Sequence, residues 1–331
     1  MTIQPDRPLT DPTALAVVVN DVGPRDGLQN QAKVLAPAQR VRLVQALLAA
    51  GVQHVEVGAF VSPKAVPAMA GADRVLAELG GVDDATLTVL IPNVRGYELA
   101  RAAGAKSVCM VVYGSDGMAQ ANAQMSRQQA DAAAAEILGL ARADGVRVTA
   151  TIAVAFECPF DGPVQPALVQ DAAAHFLELG ADEFCIADTI GAANPAQVRA
   201  LSRSLVEAHG AGRLGGHFHD TRAMGLANVY AALESGIRKF DASIAGLGGC
   251  PFAPGASGNV ATEDVVMMLE QMGFVTGIDL ARLLQASDLA QELTTTAPGG
   301  RASAWLKRQL REKGDGAAGM VVSGRAPRSP G

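Results

Sequence analysis

The chain has 331 residues, with 27 basic against 33 acidic side chains and a sequence pI near 5.4. This length can bury a substantial core, and it fits one large domain, such as a single α/β barrel, or two small ones. The slight acidic excess gives no electrostatic basis for nucleic acid as the main partner. The bulk properties therefore favour a protein that acts on a small molecule.

The N-terminal segment and the cysteines indicate the compartment. The first 20 residues lack the basic start and continuous apolar core of a secretory signal, and no later apolar run approaches membrane-spanning length. The four cysteines are scattered without a CxxC pair, which argues against a disulfide scaffold and a thiolate zinc site. We therefore expect a cytoplasmic protein with no membrane partner.

Eight short runs rich in valine and isoleucine recur along the chain, separated by stretches with apolar residues at helical spacing. Their nearly continuous apolar character is typical of parallel strands covered on both faces. The pattern predicts an α/β fold, a (β/α)8 TIM barrel. A doubly wound open sheet is the alternative, but no GxGxxG motif opens the first βα unit. The runs are 16–21, 54–58, 87–92, 107–113, 146–156, 183–188, 215–220 and 240–246.

Three further helices are predicted after the eighth run, over 262–273, 280–293 and 302–312. We expect the barrel domain to occupy residues 14–290. Residues 291–331 would then form a short C-terminal helical extension and a tail that its Gly, Pro, Ser and Arg content predicts to be disordered. Residues before about 13 are also expected to be loose.

A TIM barrel carries its chemistry at the carboxyl ends of the strands, and the seventh run ends there in HFHD. Side chains alternate along a strand, so His217 and His219 should both face the lumen. Two converging imidazoles make half of a metal site. The alternative is a pair of hydrogen-bonded core histidines.

Two residues from other strand ends could complete the metal site. Asp26 follows the first run, beside Arg25, and is a plausible third ligand; the alternative is a loop ion pair that caps the next helix. Asn259, after the eighth run, offers an amide oxygen, although asparagine there could serve a left-handed turn. Such a mixed set leaves coordination positions open, which suits Mg²⁺ or Mn²⁺ better than tetrahedral zinc. A substrate with a hydroxyl next to a carboxyl or carbonyl group could occupy those positions.

The glycine-rich loop GLGGCPFAPGASGN carries Cys250. This setting favours a reactive proton donor or nucleophile over a packing residue. Cys109 and Cys185 lie inside predicted strands and are interpreted as packing residues, whereas Cys158 is left open.

Glu56 and Asp188 are acidic residues near the ends of the second and sixth runs. A carboxylate that points into a barrel lumen must be paired, protonated or close to a metal. Each could therefore lie beside the metal or pair with Arg25. A structural salt bridge inside the barrel is the alternative for both.

The loops at the predicted strand ends, taken together, resemble one family. The segments are DVGPRDGLQN, VEVGAFVSPKAVPAM, IADTIG, HFHDT and AGLGGCPFAPGASGNVATED. They closely resemble the 3-hydroxy-3-methylglutaryl-CoA (HMG-CoA) lyases, which are metal-dependent TIM-barrel enzymes, and the similarity runs from about residue 14 to residue 273. The loop around Cys250 is the most specific part, because synthases and aldolases of the wider group carry a different loop there.

The resemblance implies roles for individual residues, an acyl-CoA substrate and a homodimer. The implied metal ligands are Asp26, His217, His219 and Asn259. The candidate catalytic residues are Cys250, Arg25, Asp26, Glu56, Asp188 and His217, and we also predict that Arg25 and Gln29 bind the substrate.

The implied reaction is the retro-Claisen cleavage of HMG-CoA to acetyl-CoA and acetoacetate. The metal would acidify the tertiary hydroxyl, a base would remove its proton, and the C2–C3 bond would break to give a ketone and an enolate. Arg25 would stabilise charge on the thioester oxygen, and Cys250 would protonate the enolate carbon. Asp26, His217 and a water molecule at the metal all remain candidates for the base.

Three short segments depart from the family pattern and put the substrate in doubt. They are Arg222–Met224 after HDT, the pair Gly58 and Ala59 where small hydroxyl residues are usual, and the pair Gln31 and Ala32 where Glu-Lys is usual. A changed pocket could suit citramalyl-CoA or a longer branched 3-hydroxyacyl-CoA. A 2-oxo-acid aldolase or condensing enzyme is a further alternative, against which the Cys250 loop argues.

Overall fold

Eight strands close into a parallel barrel around a central lumen. The computed structural model describes residues 15–82, 84–249 and 258–319, with side chains described as far as residue 312. The barrel strands are β1 (Val18–Asp21), β2 (His54–Ala59), β3 (Thr86–Ile91), β4 (Ser107–Tyr113), β5 (Arg147–Ala153), β8 (Glu183–Asp188), β9 (Leu214–Phe218) and β10 (Lys239–Ala242). Their order around the barrel is β1, β10, β9, β8, β5, β4, β3 and β2, and β2 pairs with β1 to close it. A short hairpin of β6 (Glu157–Cys158) and β7 (Gly162–Pro163) follows β5.

Helices between the strands cover the barrel. They are α1 (Pro37–Ala49), α2 (Ala72–Glu78), α3 (Val94–Ala102), α4 (Asp116–Ala123), α5 (Arg127–Asp144), α6 (Pro166–Leu179), α7 (Pro195–His209), α8 (Gly225–Glu234), α9 (Thr262–Gln271), α10 (Leu280–Thr294) and α11 (Ser303–Gly319). Local sequence explains several starts. Proline opens α1, α6 and α7, and a capping box between Ser126 and Gln129 opens α5.

The fold agrees with the sequence pattern in its main features. Each predicted run overlaps one barrel strand, so the TIM barrel is confirmed and the open doubly wound sheet is wrong. The three predicted C-terminal helices are α9, α10 and α11, and α11 continues past residue 312 to Gly319. The expected boundary at residue 290 lies inside α10. The sequence predicted a disordered tail from residue 314, but residues 314–319 are helical as the end of α11, so that part of the prediction was wrong. The rest of the tail and the residues before 13 lie outside the described residues, and in the described part of the chain no helix could span a membrane.

One buried carboxylate joins the C-terminal extension to the barrel. Glu263, at the start of α9, accepts hydrogen bonds from Gly300 N at 2.8 Å and from Ser287 Oγ at 2.7 Å. Its other oxygen accepts from Ala245 N at 3.0 Å, in the turn that follows β10. The extension therefore supports the exit of the last barrel strand.

Strand register determines which side chains share a level of the lumen. Asn20 on β1 is the register partner of Asp241 on β10, which in turn is the partner of His217 on β9. Register partners point to the same face of a sheet, so these three polar side chains are neighbours. On β2 the register shifts between Glu56 and Gly58. Such a bulge re-aims nearby side chains, and Glu56 lines the lumen.

Charged residues also occupy the amino ends of the strands. Lys239 forms an ion pair with Glu183, and Arg147 reaches the same carboxylate at 3.4 Å. Burial and the charge of Lys239 lower the pKa of His54 to about 4. Strands far apart in sequence therefore place opposite charges together at this end of the barrel.

Gly58, one of the departures from the family pattern, leaves room for a buried arginine. A Cβ atom there would lie 2.7 Å from Arg40 Nη2 and 3.2 Å from the Cβ of Ala72. Arg40 is fully buried and donates to the carbonyls of Val57 at 3.2 Å and Ala70 at 3.0 Å. The guanidinium cannot move away without losing these hydrogen bonds.

We expect Gly58→Ala to destabilise the protein by about 1–3 kcal/mol, because overpacking displaces the Arg40 guanidinium. The free energy of unfolding in urea measures this effect. Gly139→Ala is the control, because a Cβ in that helix meets nothing within 4 Å. The control should be neutral or stabilising, and equal losses in both variants would contradict the packing argument.

Candidate active site

A cavity of about 460 Å³ opens at the carboxyl ends of the strands and continues into the lumen. Six of the predicted site residues line it, namely Arg25, Asp26, Gln29, Glu56, His217 and His219. Asn259 contacts this group without lining the cavity, as described below. Asp188 does not line it, and Cys250 lies outside the described residues. The structure therefore brings together most of the candidates that the sequence distributed over five strand ends.

The first turn after β1 carries Arg25 and Asp26 into this cavity. Three successive amide groups, from Arg25 to Gly27, point at the carbonyl of Val22 over distances of 2.7–3.2 Å. A Cβ at Gly23 would lie 2.8 Å from Asp21 Oδ1, which also accepts the Gly23 amide at the same distance. The turn is therefore too tight for a larger residue at its start.

The two histidines of HFHD converge at a buried point near the end of β9. The Nε2 atoms of His217 and His219 are 3.1 Å apart, and both side chains are buried. Together with a carboxylate oxygen of Asp26, they place three possible ligand atoms within 4.8 Å of one another. The shared direction of the two imidazoles agrees with the alternation expected for a strand.

Different neighbours shift the pKa values of the two imidazoles in opposite directions. Burial lowers the pKa of His217, but the hydrogen bond to Asp241 and the charge of Asp241 outweigh it and raise the pKa above its usual value. His219 has no such partner, and burial beside His217 lowers its pKa to about 4. At neutral pH His219 is therefore a neutral imidazole that can act as a ligand.

Asp26 is held as a carboxylate. Its Oδ1 accepts from Arg25 Nη1 at 2.6 Å, and its Oδ2 accepts from Asn259 Nδ2 at 2.7 Å. Burial alone would raise the pKa of Asp26, but Arg25 and then the two histidines lower it to about 2. The group therefore supplies negative charge at the point where the imidazoles meet.

Arg25 bridges Asp26 and Glu56 inside the barrel. Its Nη2 donates to Glu56 Oε2 at 2.8 Å, and both side chains are nearly inaccessible to solvent. Burial raises the pKa of Glu56, although Arg25 offsets part of the shift. Arg25 Nε and Glu56 Oε1 are buried without a partner in the described structure. The ion pair between Arg25 and Glu56 therefore leaves one donor and one acceptor unpaired inside the barrel.

Asn259 reaches the site through a backbone bridge to His219. As the amide is oriented, Nδ2 faces Asp26 and also lies 3.4 Å from the Leu247 carbonyl. Its amide oxygen therefore points away from the predicted metal position. The oxygen and nitrogen of an asparagine amide exchange places by one side-chain rotation.

Asp241 and Asn20 belong to this site, and the sequence reasoning missed both. Asp241 Oδ2 lies 3.1 Å from His217 Nδ1, and its Oδ1 accepts from Asn20 Nδ2 at 2.7 Å. Burial would raise the pKa of Asp241, but the hydrogen bond to His217 and its charge lower it. A carboxylate inside the apolar eighth run was the available signal, because a lumen carboxylate needs a partner.

Asp188 anchors the loop after β8 instead of lining the cavity. Its Oδ1 accepts from Ala192 N at 2.8 Å, and its Oδ2 accepts from Ala193 N at 3.1 Å. Burial raises its pKa to about 6 in spite of these donors. From the other side, Arg222 Nε donates to the Gly191 carbonyl at 2.8 Å. Both side chains therefore hold the same loop.

The departures from the family pattern lie behind the described cavity wall. Arg222 binds loop carbonyls, and Gly58 accommodates Arg40. Gln31 donates to the Gly27 carbonyl at 3.0 Å and accepts from Thr296 in the extension at 2.6 Å. The described cavity wall contains none of the departing residues, so they change how the wall is supported.

Three cysteines can be placed in the structure. Cys109 and Cys185 are buried in barrel strands, and burial raises the pKa of Cys109 to about 12 and that of Cys185 well above its usual value. Cys158, which the sequence left open, is buried in the hairpin after β5 and does not line the cavity. Gly249, directly before Cys250, does line it.

Comparison with known proteins gives the family. Residues 16–290 match the model of the HMGL-like family. An (R)-citramalyl-CoA lyase from Chloroflexus aurantiacus is 46% identical over 283 residues, which cover 82% of this chain and 89% of the relative. A hydroxymethylglutaryl-CoA lyase from Pseudomonas mevalonii is 42% identical over 298 residues, which cover 90% and 99%. The structure of an HMG-CoA lyase from Acinetobacter baumannii, in complex with coenzyme A and 3-methylmalate, matches with a TM-score of 0.84 and 37% identity, covering 88% of this chain and 95% of that one.

The barrel and the polar site at its carboxyl rim define an enzyme, and the relatives define its class as a carbon–carbon lyase. The chain belongs to the HMGL-like family. The resemblance to the HMG-CoA lyases that the loop sequences indicated is confirmed.

Asp26→Asn should weaken binding of Mn²⁺ to the purified protein by at least about tenfold, because it removes the only carboxylate among the three converging groups. Electron paramagnetic resonance of free Mn²⁺ during a titration measures the affinity. Glu183→Gln is the matched control, since that carboxylate is paired with Lys239 at the other end of the lumen. A loss of the same size in both variants would show that the effect is not local.

Proposed function

We propose that the protein is a divalent-metal-dependent acyl-CoA lyase that cleaves a short branched 3-hydroxyacyl-CoA, with HMG-CoA as the first candidate. The observation that carries the proposal is the convergence of Asp26, His217 and His219 within 4.8 Å at the cavity. The family contributes the reaction class, because relatives named as HMG-CoA lyases cover nearly the whole chain.

The residues present fit a Mg²⁺ or Mn²⁺ ion. An ionised carboxylate and two imidazoles form the mixed oxygen and nitrogen set that these ions accept with open positions. Asn259 would be the fourth ligand through its amide oxygen, after the amide turns from its present orientation toward Asp26. When bound, the ion would act as a Lewis acid that makes the substrate hydroxyl more acidic.

Arg25 and Glu56 supply the polar groups for the bond cleavage. Arg25 stays protonated between two carboxylates, and its buried Nε–H has no partner in the described structure. The guanidinium, which lines the cavity, would stabilise the negative charge that develops on the thioester oxygen as the C2–C3 bond breaks. Glu56 Oε1 is the unpartnered acceptor beside it, and its raised pKa suits a group that takes up the hydroxyl proton.

Cys250 is assigned the proton transfer to the enolate carbon. Gly249 lines the cavity, and its carbonyl accepts from Asn30 Nδ2 at 3.1 Å, so the chain enters this loop at the edge of the site. The thiol would give its proton to C2 of the enolate, which yields acetyl-CoA and leaves a thiolate to be reprotonated. Gln29, which also lines the cavity, is assigned to substrate binding.

Citramalyl-CoA is the second candidate substrate, favoured by the 46% identity to a citramalyl-CoA lyase. The two substrates share a 3-hydroxy-3-methylacyl thioester. In HMG-CoA one methylene separates the carboxylate from the hydroxyl-bearing carbon, whereas in citramalyl-CoA the carboxylate is attached directly. Cleavage would give acetyl-CoA in both cases, with acetoacetate from the first and pyruvate from the second.

The proposal is tested with a panel of 3-hydroxyacyl-CoA esters assayed with Mg²⁺ and with Mn²⁺. We expect release of acetyl-CoA, and Cys250→Ala should lower kcat by about 10²–10⁴-fold, because it removes the proton donor. Cys158→Ala is the control, because that buried thiol does not line the cavity and its loss should leave kcat nearly unchanged.

The possible outcomes separate the alternatives. Cleavage of citramalyl-CoA without cleavage of HMG-CoA would retain the reaction class and change the substrate. Condensation of acetyl-CoA with a 2-oxo acid, unaffected by Cys250→Ala, would instead favour the aldolase or condensing alternative. Failure to cleave any ester in the presence of either ion would refute the proposal.

A further inference from the structure

We propose that Asp241, oriented by Asn20, is a positioning residue that holds His217 in the tautomer whose Nε2 is free to bind the metal. This inference rests on the proposed function, because it concerns how the chain prepares one ligand of the proposed metal site. Neither residue is among the candidates that the sequence indicated.

The contact between Asp241 and His217 determines which ring nitrogen of His217 carries a proton. An ionised carboxylate only accepts hydrogen bonds, so the contact of 3.1 Å between its Oδ2 and His217 Nδ1 requires a proton on Nδ1. In the neutral ring, Nε2 then carries a lone pair. The contact of 3.1 Å between the two Nε2 atoms needs one proton between them, which His219 supplies when the His217 ring is neutral.

Asn20 fixes the carboxylate from the opposite side. Its Nδ2 donates to Asp241 Oδ1 at 2.7 Å, and Cys185 Sγ lies 3.9 Å from Oδ2. The three residues Asn20, Asp241 and His217 are register neighbours on three adjacent strands. The strand backbones therefore set the spacing of these three side chains, and no long, flexible side chain is needed to bring them together.

A hydrogen-bond acceptor on Nδ1 determines whether Nε2 of a histidine can bind a metal ion. An imidazole with its proton on Nε2 cannot bind an ion through that atom, and a ring without an anchored Nδ1–H can rotate away. Carboxylates that accept from a ligating histidine are worth about 10–100-fold in metal affinity. We expect an effect of this size at Asp241.

Two variants distinguish the loss of the hydrogen-bond acceptor at position 241 from the loss of the negative charge there. Asp241→Val removes the acceptor with a residue that suits a strand. The double variant Asn20→Asp with Asp241→Asn exchanges the two side chains and keeps the hydrogen bond between positions 20 and 241. A carboxylate at position 20 can only accept, so the amide nitrogen at position 241 must donate to it. The amide oxygen must then face His217 and accept from Nδ1.

The measurements are Mn²⁺ affinity, without substrate, and the tautomer of His217 in the metal-free protein from ¹⁵N NMR of the ring nitrogens at alkaline pH. We expect Asp241→Val to lose about 10–100-fold in affinity and to lose the Nδ1–H form. The exchanged pair should retain the Nδ1–H form and most of the affinity. Ser107→Ala, which removes a partly buried hydrogen bond of 3.0 Å between neighbouring barrel strands, is the control and should change neither.

Each result has a distinct meaning. Unchanged affinity and tautomer in Asp241→Val would overturn the inference, as would an exchanged pair that binds Mn²⁺ as weakly as Asp241→Val. If the wild-type protein binds no Mn²⁺ at all, the proposed metal site fails, whereas the NMR tautomer still tests the hydrogen bond on its own. Circular dichroism of each variant shows whether it has folded.

Discussion

The site depends on one constraint, which is that Arg25 carries a positive charge into a buried part of the barrel. Such a charge is tolerated only when partners surround it, and Asp26 and Glu56 are placed within 2.6 Å and 2.8 Å of its two terminal nitrogens. This pairing keeps Asp26 ionised, and the ionised Asp26 in turn attracts the two histidines from β9 and the amide of Asn259. Ion pairs and hydrogen bonds around Arg25 and Asp26 therefore hold together the polar groups from four strand ends.

Three other carboxylates hold the backbone that carries these groups. Asp21 accepts the amide of Gly23 and the hydroxyl of Thr262, Asp188 accepts two amides of the loop after β8, and Glu263 connects the extension to the turn after β10. None of these three lines the described cavity. Their hydrogen bonds to backbone donors show that acidic residues at strand ends can serve loop geometry as well as chemistry, and only the contacts distinguish the two uses.

The structure shows what three of the residues that depart from the family pattern contact. They do not reshape the described cavity wall; instead, Gly58 accommodates Arg40, and Arg222 and Gln31 hold loops from outside. Any effect of these departures on the substrate would therefore act through the position of the described wall. The similarity to lyases of two different acyl-CoA esters fits a site in which the cleavage chemistry is retained while the carboxylate of the substrate varies.

The sequence by itself determined the barrel, because eight apolar runs alternating with helical stretches have few other ways to bury both faces of each strand. It also indicated which strand ends carry candidate site residues, since residue type and alternation make HFHD and PRDG recognisable. Only the tertiary structure showed that Asp241 and Asn20 support His217, that Asp188 holds a loop, and that Lys239 and Glu183 pair at the opposite end. Hydrogen bonds between distant strands depend on barrel closure and register, and no local pattern in the chain encodes which lone carboxylate will meet which partner.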